Sequence, residues 1–129
     1  MADAPMPASG TATVLFTDLV GSTELRSRLG DVAADALRRA HDALLTDAVG
    51  THRGTVVKHL GDGIMASFAS AAAAVSAAVT IQQAIDRHNR RTPDRALAVR
   101  VGVSVGDVSW ENGDCFGTPV IEASRPRCG

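Results

Sequence analysis

Hydrophobic and polar positions alternate along this chain with two different periods. Residues 12–18, ATVLFTD, form an apolar run of β-formers closed by an aspartate, the pattern of a buried strand. In LVGSTEL, which follows, Gly21 permits a tight turn and Ser22, ahead of Thr23 and Glu24, is a candidate N-cap. A short helix is expected to reach Leu29 and stop at Gly30. Asp31 opens a longer helix to about Val49, where Ala33, Leu37, Ala40, Leu44, Leu45 and Ala48 recur at helical spacing and Gly50 is a natural stop. Residues 54–59 and 63–68 are two strands, with Asp62 and Gly63 as the hairpin-turn pair. An alanine-rich helix spans 70–91 and packs through Ala71, Ala74, Val75, Ala78, Val79, Ile81 and Ile85. Arg87, Arg90 and Arg91 suit its C-terminal end, and Pro93 stops it. Residues 97–108, LAVRVGVSVGDV, alternate as a strand, Glu111 to Asp114 read as a turn, and a last helix starts near Pro119.

The resulting order places two β-α-β units around a central hairpin. That is the plan of a ferredoxin-like α+β sandwich, βααββαβ, with an antiparallel sheet and its helices on one face. The first strand is central and lies beside the hairpin. The other face of the sheet is expected to be left for a partner or a ligand. Residues 1–10 hold Pro5, Pro7 and Gly10 and little that could pack, so they read as a flexible leader to a domain covering 11–129.

Composition narrows the function classes. At 129 residues with 45% hydrophobic content the chain is one domain with a real core. A net charge of −1 supplies no basic field for nucleic acid. No apolar run approaches the ~20 residues of a membrane span. The opening MADAPMPASG has no basic stretch followed by an apolar one, so a cytoplasmic protein is expected. Cys115 and Cys128 lack zinc-knuckle spacing and read as reduced thiols, and the 4 histidines form no ligand pair.

Two aspartates carry the first chemical signal. Asp18 ends a buried strand before a glycine-containing loop, and Asp62 sits at a hairpin tip; the topology lets both reach one edge of the sheet. Two hard anionic oxygens with open positions suit Mg²⁺ or Mn²⁺. Singly, Asp18 reads as a helix cap and Asp62 as a turn residue. Beside them, LVGST places backbone N–H groups at a helix start, an anion site, although it lacks the ending of a Walker loop. Lys58 is the only lysine of the chain, whose other basic residues are arginines. An ammonium is a compact donor and a guanidinium a planar fork, so the choice of lysine suits a single acceptor; a solvated charge on a sheet edge is the plainer reading. Four strand residues, roughly 13 Å, separate it from Asp62 in the same chain. Arg100, in an otherwise apolar strand, and Arg125 near the end are candidates for phosphate or simply surface arginines.

FTDLVGST, VVKHLGDGIMASF, VRVGVSVGDV and GDCFGTPVIEASR, in this order, resemble the catalytic domain of class III nucleotidyl cyclases, most closely the bacterial adenylate cyclases of the mycobacterial type. The resemblance covers residues 12–125. It implies conversion of ATP to 3′,5′-cyclic AMP and pyrophosphate by a homodimer whose composite active sites are shared between two chains. Asp18 and Asp62 match the pair that holds two divalent ions, Mg²⁺ or Mn²⁺, with Leu19 among the metal contacts. The backbone of Leu19, Val20, Gly21, Ser22 and Thr23 matches the phosphate-binding turn, and Arg100 a phosphate-binding arginine. Lys58 and Asp114 match the pair that reads adenine, and Arg125 the arginine that steadies the transition state. The resemblance places Lys58, Asp114 and Arg125 in the chain opposite the metals. It answers the choice of lysine: the amine donates to adenine N1 while Asp114 accepts from N6. Guanine reverses both roles, and a mismatched buried polar pair costs about 1–3 kcal/mol per group.

The sequence also departs from that family. Ile121 stands where an asparagine often orients the ribose, so slower turnover is expected. After Arg125 the chain reads PRCG, where the family continues for some tens of residues and supplies a further phosphate-binding lysine. The expectation is a C-terminally truncated domain, with a non-catalytic nucleotide-binding or dimerisation module, or a guanylate cyclase, as the alternatives.

Overall fold

The apolar run that opens the sequence becomes the spine of the sheet. In the computed structural model, which describes residues 9–111 and 114–117, β1 covers Ser9–Leu19 and lies between two antiparallel neighbours. A turn leads into α1 (Ser22–Leu29) and α2 (Asp31–Thr51). The hairpin β2 (Thr55–Leu60) and β3 (Gly63–Phe68) follows, then α3 (Ala71–Arg91). A single 3₁₀ turn at Pro93–Arg95 delivers the chain to β4 (Val99–Glu111), which pairs with β5 (Asp114–Gly117). The sheet order is β2-β3-β1-β4-β5, and every neighbouring pair is antiparallel. The expected α+β plan, with a central first strand beside the hairpin, is the observed one.

The helices cover one face. Leu15 and Leu19 of β1, with Ile64, Ala66 and Phe68 of β3, bury against Leu37, Leu45 and Val49 of α2 and Ile81 and Ile85 of α3. The other face is not left open as expected. Val14, Phe16 and Met65 are buried there, with Val57 and Leu60 packed beside them. The backbone of β5 returns to within contact of β2, the opposite edge strand. The hairpin arm thus curls over the face that the helices leave uncovered.

Several boundaries move for local reasons. β1 starts at Ser9 because β4 is long enough to pair with it back to Ser109, so Ser9 and Gly10 are strand and not leader. The two turn residues of the first hairpin are Gly61 and Asp62, since Leu60 already pairs with Gly63. α2 runs through Gly50 to Thr51, and the left-handed residue of its exit is Arg53, with φ 62°. Gly54 is needed one step later, where a Cβ would collide with the ring of Phe68. The turn expected over Glu111–Asp114 is tighter, since those two residues pair across β4 and β5. On α3 the buried stripe is Ala74, Ala77, Ile81, Ala84 and Ile85; Ala71 is exposed, and Val75 and Val79 are more than half exposed. On α2 Ala40 faces outward and His41 takes the core position. The helix expected from Pro119 lies outside the described residues.

Candidate functional site

The C-terminal end of β1 gathers the candidate residues, and a glycine makes that possible. A Cβ on Gly63 would collide with the backbone carbonyl of Thr17. Its absence lets the β2–β3 turn press against β1. The Ile64 N–H then donates to Thr17 Oγ1 at 2.9 Å, and the Leu19 N–H to the Asp62 carbonyl at 2.8 Å. Those bonds seat Asp62 beside the strand end that carries Asp18, which is exposed while Leu19 is buried. Across the other edge of β1, Arg100 stands directly opposite Asp18 and is also exposed. The structure therefore brings Asp18, Asp62 and Arg100 to one end of the sheet.

The loop after β1 completes this end. Val20 donates its N–H to the Ala98 carbonyl at 2.8 Å, and Gly21 then turns left-handed, with φ 68° and ψ 31°. A side chain there would be strained, so glycine is the residue the turn requires. Gly21 is the N-cap of α1, and its carbonyl accepts from Leu25 at 3.0 Å. Ser22, expected as the cap, is instead the first helical residue. No side chain caps the helix, so the N–H groups of Ser22, Thr23 and Glu24 are without intrahelical partners. The Ser22 hydroxyl turns away from the helix start and donates to Asp62 Oδ2 at 2.8 Å.

The second carboxylate oxygen of Asp62 faces Arg38 of α2, with Nη1 4.0 Å from Oδ1. Sequence reasoning missed this arginine; its only advance signal was the spacing of four residues to Asp42. Arg38 Nε approaches Asp42 Oδ1 at 3.4 Å, and its Nη2 donates to the Leu60 carbonyl at 3.4 Å. Asp42 Oδ1 also accepts a hydrogen bond from His41 Nδ1 at 2.8 Å, while the buried Nε2 of His41 has no partner among the described residues. A pocket of about 350 Å³ opens here between α1, α2 and the turn, lined among others by Ser22, Thr23, Arg26, Arg38 and Asp62. Arg26 bonds Asp35 at 2.7 Å and Asp31 at 3.1 Å. The hydrogen bond to Asp35, then that to Asp31, holds its guanidinium above the ordinary range, so it stays a cation.

A divalent ion fits the donor chemistry. The two carboxylates belong to neighbouring segments joined by the Leu19–Asp62 bond. No group of three or more His, Cys, Asp or Glu converges among the described residues. An oxygen pair of this kind suits Mg²⁺, which keeps open positions for water and substrate phosphates.

Lys58 lies elsewhere. It is half-buried on the edge strand β2 and shares a cross-sheet row with Met65 and Phe16. That row is two strands and two residues from Asp18, about 12 Å by strand spacing and rise. A bulge between Val56 and Lys58 shifts the register just before it. Asp114 opens β5 opposite Glu111, on the strand that returns beside β2. Arg125 and Ile121 lie outside the described residues, as does Cys128.

Residues 4–125 match the family described as adenylate and guanylate cyclase catalytic domain. A putative adenylate cyclase 3 of Rhizobium meliloti is 40% identical over 115 residues, 88% of this chain and 20% of that protein. An adenylate cyclase of Streptomyces coelicolor is 34% identical over 110 residues, 85% of this chain and 28% of that protein. The crystal structure of an adenylate/guanylate cyclase/hydrolase from Silicibacter pomeroyi superposes with a TM-score of 0.77 at 31% identity, over 89% of this chain and 67% of that one. The chain thus spans less than a third of these two curated relatives. Among the described residues no helix is long and apolar enough to cross a membrane.

Proposed function

This chain belongs to the adenylate and guanylate cyclase catalytic domain family, and on that premise we propose that it converts ATP to 3′,5′-cyclic AMP and pyrophosphate in the cytoplasm, as a homodimer with composite sites. The observation that carries the reading is the junction at the end of β1. There the Leu19 N–H holds Asp62 beside Asp18, at the mouth of a left-handed glycine turn that opens a helix.

In this reading Asp18 and Asp62, with the Leu19 backbone, hold two Mg²⁺ or Mn²⁺ ions. When bound, such ions supply Lewis acidity to the ribose 3′-hydroxyl and the phosphates during an in-line displacement. The chain's own groups do the rest. The N–H groups of Gly21, Ser22 and Thr23 at the start of α1 receive phosphate oxygens, favoured by the helix dipole, whereas those of Leu19 and Val20, expected in the same role, are already committed to the carbonyls of Asp62 and Ala98. Arg100, on the row of Asp18, adds a permanent cation for the same phosphates. Ser22 fixes the rotation of the Asp62 carboxylate through its hydroxyl. Arg125 is assigned to the charge that develops on the α-phosphate.

The base is read by Lys58 and Asp114. Their placement supports a shared site: β2 and β5 lie together, away from the metal end of β1 in their own chain. A twofold partner facing that end would present them to the nucleotide held there. An ammonium donor and a carboxylate acceptor match adenine N1 and N6 and oppose guanine at both positions.

The test is cyclic AMP formation from ATP with Mn²⁺, by this chain and by Asp18→Ala. The proposal predicts turnover in the first and a loss of at least about 100-fold in the second. Equal background in both contradicts it. ATP bound without turnover would favour a nucleotide-binding module, and a preference for GTP would overturn the roles of Lys58 and Asp114.

A further inference from the structure

Asp62 is gripped from two sides, and only one grip belongs to the phosphate loop. Ser22 takes Oδ2 at 2.8 Å, a full hydrogen bond. On the other side Arg38 stands 4.0 Å from Oδ1, too far for a hydrogen bond but close enough for its charge to be felt. Arg38 is drawn to the far side of Asp62, its fork spread over Asp42 and the Leu60 carbonyl, both at 3.4 Å. Asp42 is in turn fixed by the fully buried His41. The other guanidinium lining this pocket, Arg26, is engaged by Asp31 and Asp35.

We propose that Arg38 is a positioning residue that ties the Asp62 turn to α2 and sets the affinity of Asp62 for its divalent cation. This rests on the reading of Asp62 as a metal ligand. Two consequences follow from one side chain, and they have opposite signs. As a tether to the Leu60 carbonyl, Arg38 holds the carboxylate where a metal shared with Asp18 needs it. As a fixed cation facing Oδ1, it competes with the incoming ion. For a lone ion the repulsion wins, because it acts on Asp62 directly while the weak 3.4 Å tether matters only where the ion must also meet Asp18 and substrate; losing the arginine therefore tightens metal binding while slowing turnover. A residue that merely supported the fold would, on removal, weaken both.

The test uses the full chain with Mn²⁺ alone, titrated while the amide signals of Leu19 and Gly63 are followed for paramagnetic broadening. Arg38→Gln is expected to bind Mn²⁺ roughly 3- to 10-fold more tightly than the parent, the effect of one unit charge removed at this separation in a half-exposed site. Its kcat with ATP and Mn²⁺ is expected to fall about 3- to 10-fold, as a misplaced ligand implies. Arg38→Lys keeps the charge and loses the fork, so its Mn²⁺ affinity stays within about twofold while kcat still falls. Unchanged or weaker Mn²⁺ binding in Arg38→Gln overturns the proposal, as does tighter binding in Arg38→Lys; the lysine variant decides alone should the glutamine variant unfold. Asp62→Asn separates the two readings. If it broadens as the parent does, or if the parent itself shows no broadening, Asp62 is not the ligand and both readings fall. If it loses the broadening while Arg38→Gln matches the parent, only the role of Arg38 falls.

Discussion

Gly63 sets the position of Asp62 more than any side chain does. Its missing methyl group leaves room for the Thr17 carbonyl, and the bonds of Ile64 to Thr17 and Leu19 to Asp62 depend on that closeness. Gly63→Ala is expected to cost about 1–3 kcal/mol, since the atom it meets is backbone and cannot step aside. Urea unfolding measures this, and loss of activity should exceed what the unfolded fraction explains. Asp18→Asn is the counterpart. Asp18 is exposed, so its midpoint of unfolding should stay near that of the parent while cyclic AMP formation falls. Asp18, Gly21 and Asp62 could be read in the sequence because each punctuates a change of element. The hydroxyl of Ser22 on Asp62, 40 residues away, could not, since local pattern casts a serine before a helix as its cap. Arg38 was hidden for the same reason: on a helix surface it looks like any solvated charge until the turn is seen beside it.

At the scale of the element, α3 carries two apolar stripes and the sequence cannot say which one packs. The structure buries Ala74, Ala77, Ile81, Ala84 and Ile85, while Val75 and Val79 flank an open groove with Val101. Ile81→Ala should therefore destabilise by about 2–5 kcal/mol and Val79→Ala by well under half as much. Reversed magnitudes would mean the helix is rotated. The N-terminus of α3 is a second check. Ser70 accepts the Ala73 N–H at 3.1 Å, and Ser70→Ala should cost about 1 kcal/mol in the same measurement. The order and type of the elements were legible because their periods differ and glycine or proline separates most of them. Their ends were not. Pairing partners far along the chain lengthened β1 and β4, and close packing at Gly54 moved the exit of α2 past Gly50.

For the molecule as a whole, the proposed activity depends on two chains completing one site. The Asp18 end of β1 and the strands that carry Lys58 and Asp114 are separate parts of one sheet. The element order placed the helices on one face and implied a vacant second one, yet the arm that ends in β5 curls back over it, a long-range packing choice that no local window encodes. Swapping Lys58→Glu together with Asp114→Ser should shift preference from ATP toward GTP by at least about tenfold, one mismatched polar group's worth. The most direct measurement of the central claim mixes two inactive chains, Asp18→Ala and Lys58→Ala. Each homodimer lacks one half of both sites, whereas a mixed dimer regains one whole site. Equal mixing should restore up to about a quarter of parental cyclic AMP formation. Mixed dimers that form but stay as inactive as their parents would contradict the shared site.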